Sequence, residues 1–309
     1  MFINQSSAQP AASHHQRRVP VYGWLGLAIL ILGKALLYLH IRWVAYFFTA
    51  IMWTGYLLLI DGIIWKRGGN SFFKDHPRQW PMIALISNLN WILFEVYNFK
   101  LKNWHYANLP SHPVARNFYY FWAFATILPA LLQTAELLHS FSILRRIYLP
   151  RINITPSFLA VSFIFGIAFT TIPPATSDDL APNLIPLVWL GLIFLLEPIN
   201  YALSFPSLYR QLEQGKVARL LQLLAGGLIC GVLWEVWNGQ ALHMGGNGWL
   251  YHIPNLYHLY VRGRDLKVGE MPLLGFLGYP PFAWECYAFY ALCKAGLQGG
   301  RLWKKIILT

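Results

Sequence analysis

The chain has 309 residues and a net charge of +12, with 56% hydrophobic and only 12% charged side chains. Soluble domains carry about 25% charged residues, so this composition excludes a water-soluble globular protein. The basic residues flank apolar runs and do not alternate with aromatics along a groove, which excludes nucleic acid as a partner.

Residues 1–20 are polar, with His14, His15, Arg17 and Arg18 ahead of the first apolar run. No small-residue cleavage site follows a short apolar core, so this stretch reads as a disordered cytoplasmic tail and not as a signal peptide. Eight apolar segments follow, at 21–39, 43–65, 81–98, 116–141, 157–174, 183–205, 219–238 and 272–295. Lengths of about twenty residues are what a helix needs to cross a bilayer. Pro173 and Pro174 stop the fifth. Pro280 and Pro281 predict a kink in the eighth, because they remove backbone donors. With the N-terminus inside, 16 of the 24 lysines and arginines fall in inner segments. That bias predicts both termini on the cytoplasmic side of an integral, multi-pass membrane protein. Cys230, Cys286 and Cys293 lie within predicted spans and read as buried free thiols.

The chain repeats itself. Leu93-Phe94-Glu95-Val96-Tyr97-Asn98 matches Leu233-Trp234-Glu235-Val236-Trp237-Asn238. Trp104-His105-Tyr106 and Pro110 match Trp249-Leu250-Tyr251 and Pro254, and Glu136 falls opposite Glu285. Four spans per copy is an even number of crossings, so the copies should be parallel about an axis along the membrane normal. The expected fold is therefore all-α, with about eight transmembrane helices in two four-helix repeats, 21–150 and 151–309. The long outer connections, 99–115 and 239–271, are rich in aromatics, and they are expected to fold back as a cap.

Carboxylates inside apolar segments are costly and mark candidate sites. Glu235 and Asn238 share one helix face, as do Glu95 and Asn98. The bland reading of each pair is a helix tied by hydrogen bonds to the neighbouring loop, with Asn capping the end. The chemical reading is a desolvated acid able to hold a proton. Glu285, one turn after the paired prolines, and Glu270, at the expected start of the eighth span, complete the set. Catalysis is expected from Glu235, Glu285 and Glu270. Substrate contacts are expected from Trp234, Trp237, Asn238, Trp249, Tyr251, Tyr279, Glu95 and Asn98. Asp61 could simply face the inner surface near Lys66, and Glu197 fits either a packed polar contact or a cavity. Glu136 and His139 have the Glu-x-x-His spacing of carboxylate metal sites, but Glu285 is followed by Ala288 at the same offset, so no metal and no cofactor is expected.

Gly248-Trp249-Leu250-Tyr251 and Glu270-Met271-Pro272 resemble elements of the small membrane carotenoid (lycopene) cyclases and hydratases, over about 90–140 and 230–290. Those proteins carry a Pro-x-Glu-Glu type motif; here there is no double acid, and Glu270 precedes the proline. The stretch 270–278 also resembles a group of bacterial membrane proteins that implies no activity. The cyclase resemblance implies an isoprenoid- or carotenoid-like substrate and acid-assisted cyclase, isomerase or hydratase chemistry. Aromatic faces around an acid suit that chemistry and suit an ordinary lipid pocket equally. A transporter, a lipid-binding protein, or a subunit of a membrane complex or homo-oligomer therefore stays open beside the enzyme. In every reading the partner is membrane lipid or a lipophilic small molecule.

Overall fold

The structure is a computed structural model that describes residues 17–141 and 147–297. The expected disorder of residues 1–16, and the basic residues Arg145, Arg146, Arg301, Lys304 and Lys305, lie outside the described residues. The described residues are mostly helical, with three two-stranded ribbons among them. Among the described residues, six helical segments are long and apolar enough to cross a membrane: Val21–Tyr38, Arg42–Lys66, Pro113–His139, Pro156–Ala175, Ala181–Ala202 and Ala218–His243. They mark the chain as a multi-pass membrane protein.

Helix α1 (Val21–Tyr38) packs on α2 (Arg42–Lys66) through glycine. A Cβ on Gly26 would lie 2.5 Å from the Gly55 carbonyl oxygen, so only glycine permits this backbone approach. A short helix, α3 (Phe72–Asp75), precedes α4 (Trp80–Leu101). The expected fourth span is broken into α5 (Pro113–Ala125) and α6 (Ile127–His139). Pro129 cannot donate to the carbonyl four residues back. Ser87 of α4 fills the gap: its hydroxyl donates to the Phe124 carbonyl and accepts from the Leu128 N–H.

Helices α7 (Pro156–Ala175) and α8 (Ile185–Ala202) repeat the glycine contact, since a Cβ on Gly166 would lie 2.5 Å from the Leu195 nitrogen. The short α9 (Leu208–Glu213) then leads to α10 (Ala218–His243) and α11 (Tyr279–Leu297). Helices α1 and α7 lie at the rim, with apolar side chains such as Leu32 and Ile164 exposed to the surroundings. The buried core is built from α2, α4, α6, α8, α10 and α11.

Three sequence expectations are corrected here. Helix α11 begins at Tyr279, not 272, because Met271–Pro272 is a strand and Leu273–Gly278 a 3-10 turn. Pro280 and Pro281 therefore sit in the first helical turn, where no N–H is required, and they cause no mid-helix kink. Glu270 is not at a helix N-terminus. It follows Gly269, whose φ of +59° makes the turn between β5 (Lys267–Val268) and β6 (Met271–Pro272).

The cap is held by one ribbon. Strand β1 (Trp104–Ala107) pairs antiparallel with β2 (Gly248–Tyr251), with Trp104 opposite Tyr251, His105 opposite Leu250 and Tyr106 opposite Trp249. Each strand follows one of the two matching Glu-x-x-Asn helix ends. A second hairpin, β3 (Tyr260–Val261) with β4 (Arg264–Asp265), stands outside it.

Candidate functional site

The two Glu-x-x-Asn pairs build the same local structure. Asn98 donates Nδ2 to the Trp104 carbonyl at 2.8 Å and accepts from the Asn103 N–H. Asn238 donates to the Trp249 carbonyl and accepts the Trp249 N–H, both at 2.8 Å. Neither asparagine ends its helix, since α4 runs on to Leu101 and α10 to His243. Each clamps a strand of the cap to its helix instead.

The acids one turn earlier sit in cages of aromatic donors. Glu95 accepts from Trp91 Nε1 at 2.8 Å, Trp104 Nε1 at 3.0 Å and the Tyr106 hydroxyl at 2.6 Å. Glu235, fully buried, accepts from the Tyr251 hydroxyl at 2.8 Å and the Tyr279 hydroxyl at 2.7 Å through the same Oε1. Trp249 Nε1 donates to the Tyr251 hydroxyl at 2.8 Å. Among the described residues, Oε2 of Glu235 makes no ordinary hydrogen bond; the Glu270 backbone N–H supplies a weaker interaction with the same carboxylate. Burial, with a carboxylate next, pushes the Tyr106 and Tyr251 phenols of the cap well above their ordinary range.

The cages differ at one position for a steric reason. Trp91 lies four residues before Glu95, and the corresponding residue before Glu235 is Gly231. A Cβ on Gly231 would fall 2.3 Å from the Tyr279 ring. Tyr279, from α11, thus occupies the space and donates the hydrogen bond that Trp91 supplies in the first copy.

The donors of both cages line a single cavity of about 470 Å³. The helices supply Trp91, Trp234 and Tyr279 to its walls, and the ribbon supplies Trp104, Tyr106, Trp249 and Tyr251. Phe282 lies between Trp91 and Trp234, with ring centroids 5.9 Å and 6.4 Å away, and Phe124 lies 6.1 Å from Trp91. Among the described residues no lysine, arginine or histidine lines it, and neither acid reaches its surface directly. Of the residues singled out in the sequence, Trp234, Trp249, Tyr251 and Tyr279 are brought together on the cavity. Glu235 and Glu95 stand directly behind the walls.

Others lie elsewhere. Trp237 packs with its ring centroid 4.8 Å from Trp53 and is not on the cavity. Asn98 and Asn238 face the cap backbone. Glu270 is half-buried in the β5–β6 turn. Glu285 is fully buried on α11 and accepts from Asn90 Nδ2 at 3.3 Å, away from the lining. Its neighbours also correct the expected pairing with Glu136. Asn90 and Cys230 are equivalent positions, one five residues before each caged acid. Asn90 meets Glu285 while Cys230 meets Thr134 at 3.3 Å, so Thr134 is the counterpart of Glu285. Glu136 instead faces Arg219 at 3.4 Å, and His139 faces Gln222 at 3.2 Å.

Asp61 and Glu197 are packed polar contacts. Asp61 accepts from the Ser71 hydroxyl at 2.6 Å, the Phe72 N–H at 2.6 Å and the Tyr22 hydroxyl at 2.7 Å, which buries it. Glu197 accepts from the Ser207 hydroxyl at 2.6 Å, the Leu208 N–H at 3.2 Å and Trp284 Nε1 at 2.7 Å. Each acid thus caps the short helix that follows its span. The sequence carries this signal: a glycine, an acid six residues on and a serine ten beyond recur as Gly55, Asp61, Ser71 and Gly191, Glu197, Ser207. Eight residues before each acid stands a tryptophan, Trp53 or Trp189, and both line the cavity.

No family model, curated protein or solved structure matches the chain.

Proposed function

We propose that the protein is an integral membrane enzyme that holds a lipophilic, isoprenoid- or carotenoid-like molecule in the aromatic cavity and acts on it by acid-assisted chemistry. The observation that carries this reading is the cavity itself: large, lined by aromatic and aliphatic side chains, free of basic residues, and backed by a buried acid hydrogen-bonded to two wall tyrosines. Glu235 takes up a proton before turnover and passes it to Tyr279 or Tyr251, whose hydroxyl turns from the acid and gives its own proton to a double bond lying on the wall. The resulting cation is stabilised by the surrounding ring faces. Loss of a proton from an adjacent carbon, back through the same tyrosine, restores the acid. Isomerisation or ring closure therefore balances with no other reactant, and hydration consumes one water.

The architecture assigned to this enzyme is eight spans in two parallel four-helix repeats, with both termini cytoplasmic. Helices α4, of 22 residues, and α11, of 19, complete the eight. Support comes from the paired elements: the glycine contacts of α1–α2 and α7–α8, the acid-capped short helices, and the Glu-x-x-Asn clamps. In the ribbon, His105 and Leu250, equivalent residues of the two copies, lie directly opposite each other, as a two-fold axis through that pair requires.

The test is product analysis in a polyene-producing bacterial host and with purified protein in liposomes. Wild type should convert a polyene or isoprenoid, and Glu235→Gln should lower the rate by about a hundredfold or more, the scale of general-acid catalysis. Tyr279→Phe should lower it also, because it removes one relay. Absence of conversion with every polyene and isoprenoid tried would remove the enzyme reading. A lipid-binding protein without chemistry is the second reading. It is favoured by the position of Glu235 behind the tyrosines and not on the cavity surface.

A further inference from the structure

The rim of the cavity says where its occupant comes from. Toward water the cavity is roofed. The β1–β2 ribbon crosses it, and the roof is tied to the turn before α8 by Asn103 Nδ2 on the Pro182 carbonyl at 3.0 Å and the Tyr257 hydroxyl on the Asn183 carbonyl at 2.7 Å. Sideways it is open. Leu190, on the second turn of α8, and Leu277, just before α11, both line the cavity, yet they are 36% and 72% exposed. Both are aliphatic and exposed, as are the outward side chains of α1 and α7.

We infer that the cavity is loaded laterally from the bilayer, through a mouth between α8 and the 273–278 turn, so that its occupant is a membrane-resident molecule entering hydrocarbon-first. This rests on the cavity being a ligand site, as proposed above. A rim made of aliphatic side chains costs nothing to a hydrocarbon leaving lipid and gives a water-borne polar molecule no partners.

The internal repeat sharpens the assignment. Trp53 and Trp189 hold equivalent positions, eight residues before Asp61 and Glu197. Trp53 is 2% exposed and wedged between Trp234 and Trp237, each 4.8 Å away centroid to centroid, so the position it holds is sealed. Among the described residues, Trp189 has no such pair of rings against it. Its ring lies flush on Gly278, where a Cβ would come within 2.2 Å of it, beside the exposed Leu190 and Leu277. One of two equivalent openings is plugged by a tryptophan, and the other is bounded by a tryptophan resting on a glycine. Trp189 is thus the side chain that sets the width of the mouth.

The test is photo-crosslinking in vesicles of phosphatidylcholine that carries a diazirine in its acyl chain, mapped by peptide mass spectrometry. Wild type should be labelled on cavity residues such as Phe282 and Trp249. In Leu190→Trp/Leu277→Trp that labelling should fall about tenfold or more, as expected when an access gate is narrowed, while labelling of lipid-facing α1 is unchanged. Trp189→Ala should label the cavity faster than wild type, and this keeps the test alive if the double variant does not fold. Equal cavity labelling in all three proteins would overturn the lateral mouth and leave the cavity standing. A wild-type cavity unlabelled in vesicles but labelled by a diazirine-bearing long-chain alcohol added to detergent-solubilised protein would do the same. No cavity labelling under either condition would overturn both.

Discussion

Glu235 illustrates how a buried acid is made tolerable. Its carboxylate loses water but gains two phenolic donors, and hydrogen bonds to a charged group are each worth roughly 1.5–3 kcal/mol. The price of that arrangement is set by one glycine. Gly231→Ala would drive a methyl into the Tyr279 ring, pushing the hydroxyl off Glu235. Overpacking plus a lost charge-assisted bond predicts a destabilisation of about 2–4 kcal/mol, read as a lower thermal midpoint. Gly296→Ala on α11 is the control, because a Cβ there meets nothing within 4 Å. The cap tyrosines predict a pH dependence. Tyr106 and Tyr251 hold their protons well above the ordinary value of 10.0 because they are buried beside carboxylates. The folded state therefore retains protons that the unfolded chain releases. Stability is fully present below about pH 10 and declines as pH rises beyond it. Tyrosinate absorbance followed against unfolding should show ionisation and loss of the cap together. Separate, earlier ionisation of these phenols in a folded protein would contradict the burial described here.

At the scale of elements, the clamps and caps matter more than helix propensity. Asn238 makes two hydrogen bonds of 2.8 Å to Trp249 and is the only side chain that bonds both polar backbone atoms of that residue among the described residues. Asn238→Ala should cost about 2–3 kcal/mol and loosen the ribbon, which hydrogen exchange of the β2 amides would detect. Ser207→Ala removes the closest partner of Glu197 and should cost about 1–3 kcal/mol, with Ser71→Ala on Asp61 behaving alike. Much of this was legible in the chain. Apolar length located the helices, and the Glu-x-x-Asn and Trp-x-Tyr matches located the two clamps. The β1–β2 register was not legible, because strand pairing between distant segments leaves no periodicity when each strand is four residues long. The start of α11 is not legible because 272–278 is as apolar as a helix, and the packing of Gly278 on the Trp189 ring belongs to the folded structure alone. Glu285 looked like a site residue because a buried acid draws notice wherever it lies. Only the packing shows that it faces Asn90 and not the cavity.

At the scale of the molecule, the two Glu-x-x-Asn clamps meet through the ribbon and stand behind one cavity, and the differences between the matching segments are concentrated around it. Tyr279 replaces Trp91, Glu285 replaces Thr134, and Trp189 is left unclamped where Trp53 is wedged. Filling the cavity is therefore the most direct probe of its purpose. Ala123 lies on the lining and is half-buried, so Ala123→Trp places a ring in the space at little cost to the surrounding helices. The deciding measurement is mass spectrometry of the lipophilic molecules retained by the purified protein, wild type against Ala123→Trp. The account predicts a polyene or isoprenoid-like molecule held by wild type in near-equimolar amount and lost from the variant. Wild type that retains no such molecule, or a variant that retains as much of it as wild type, would contradict it.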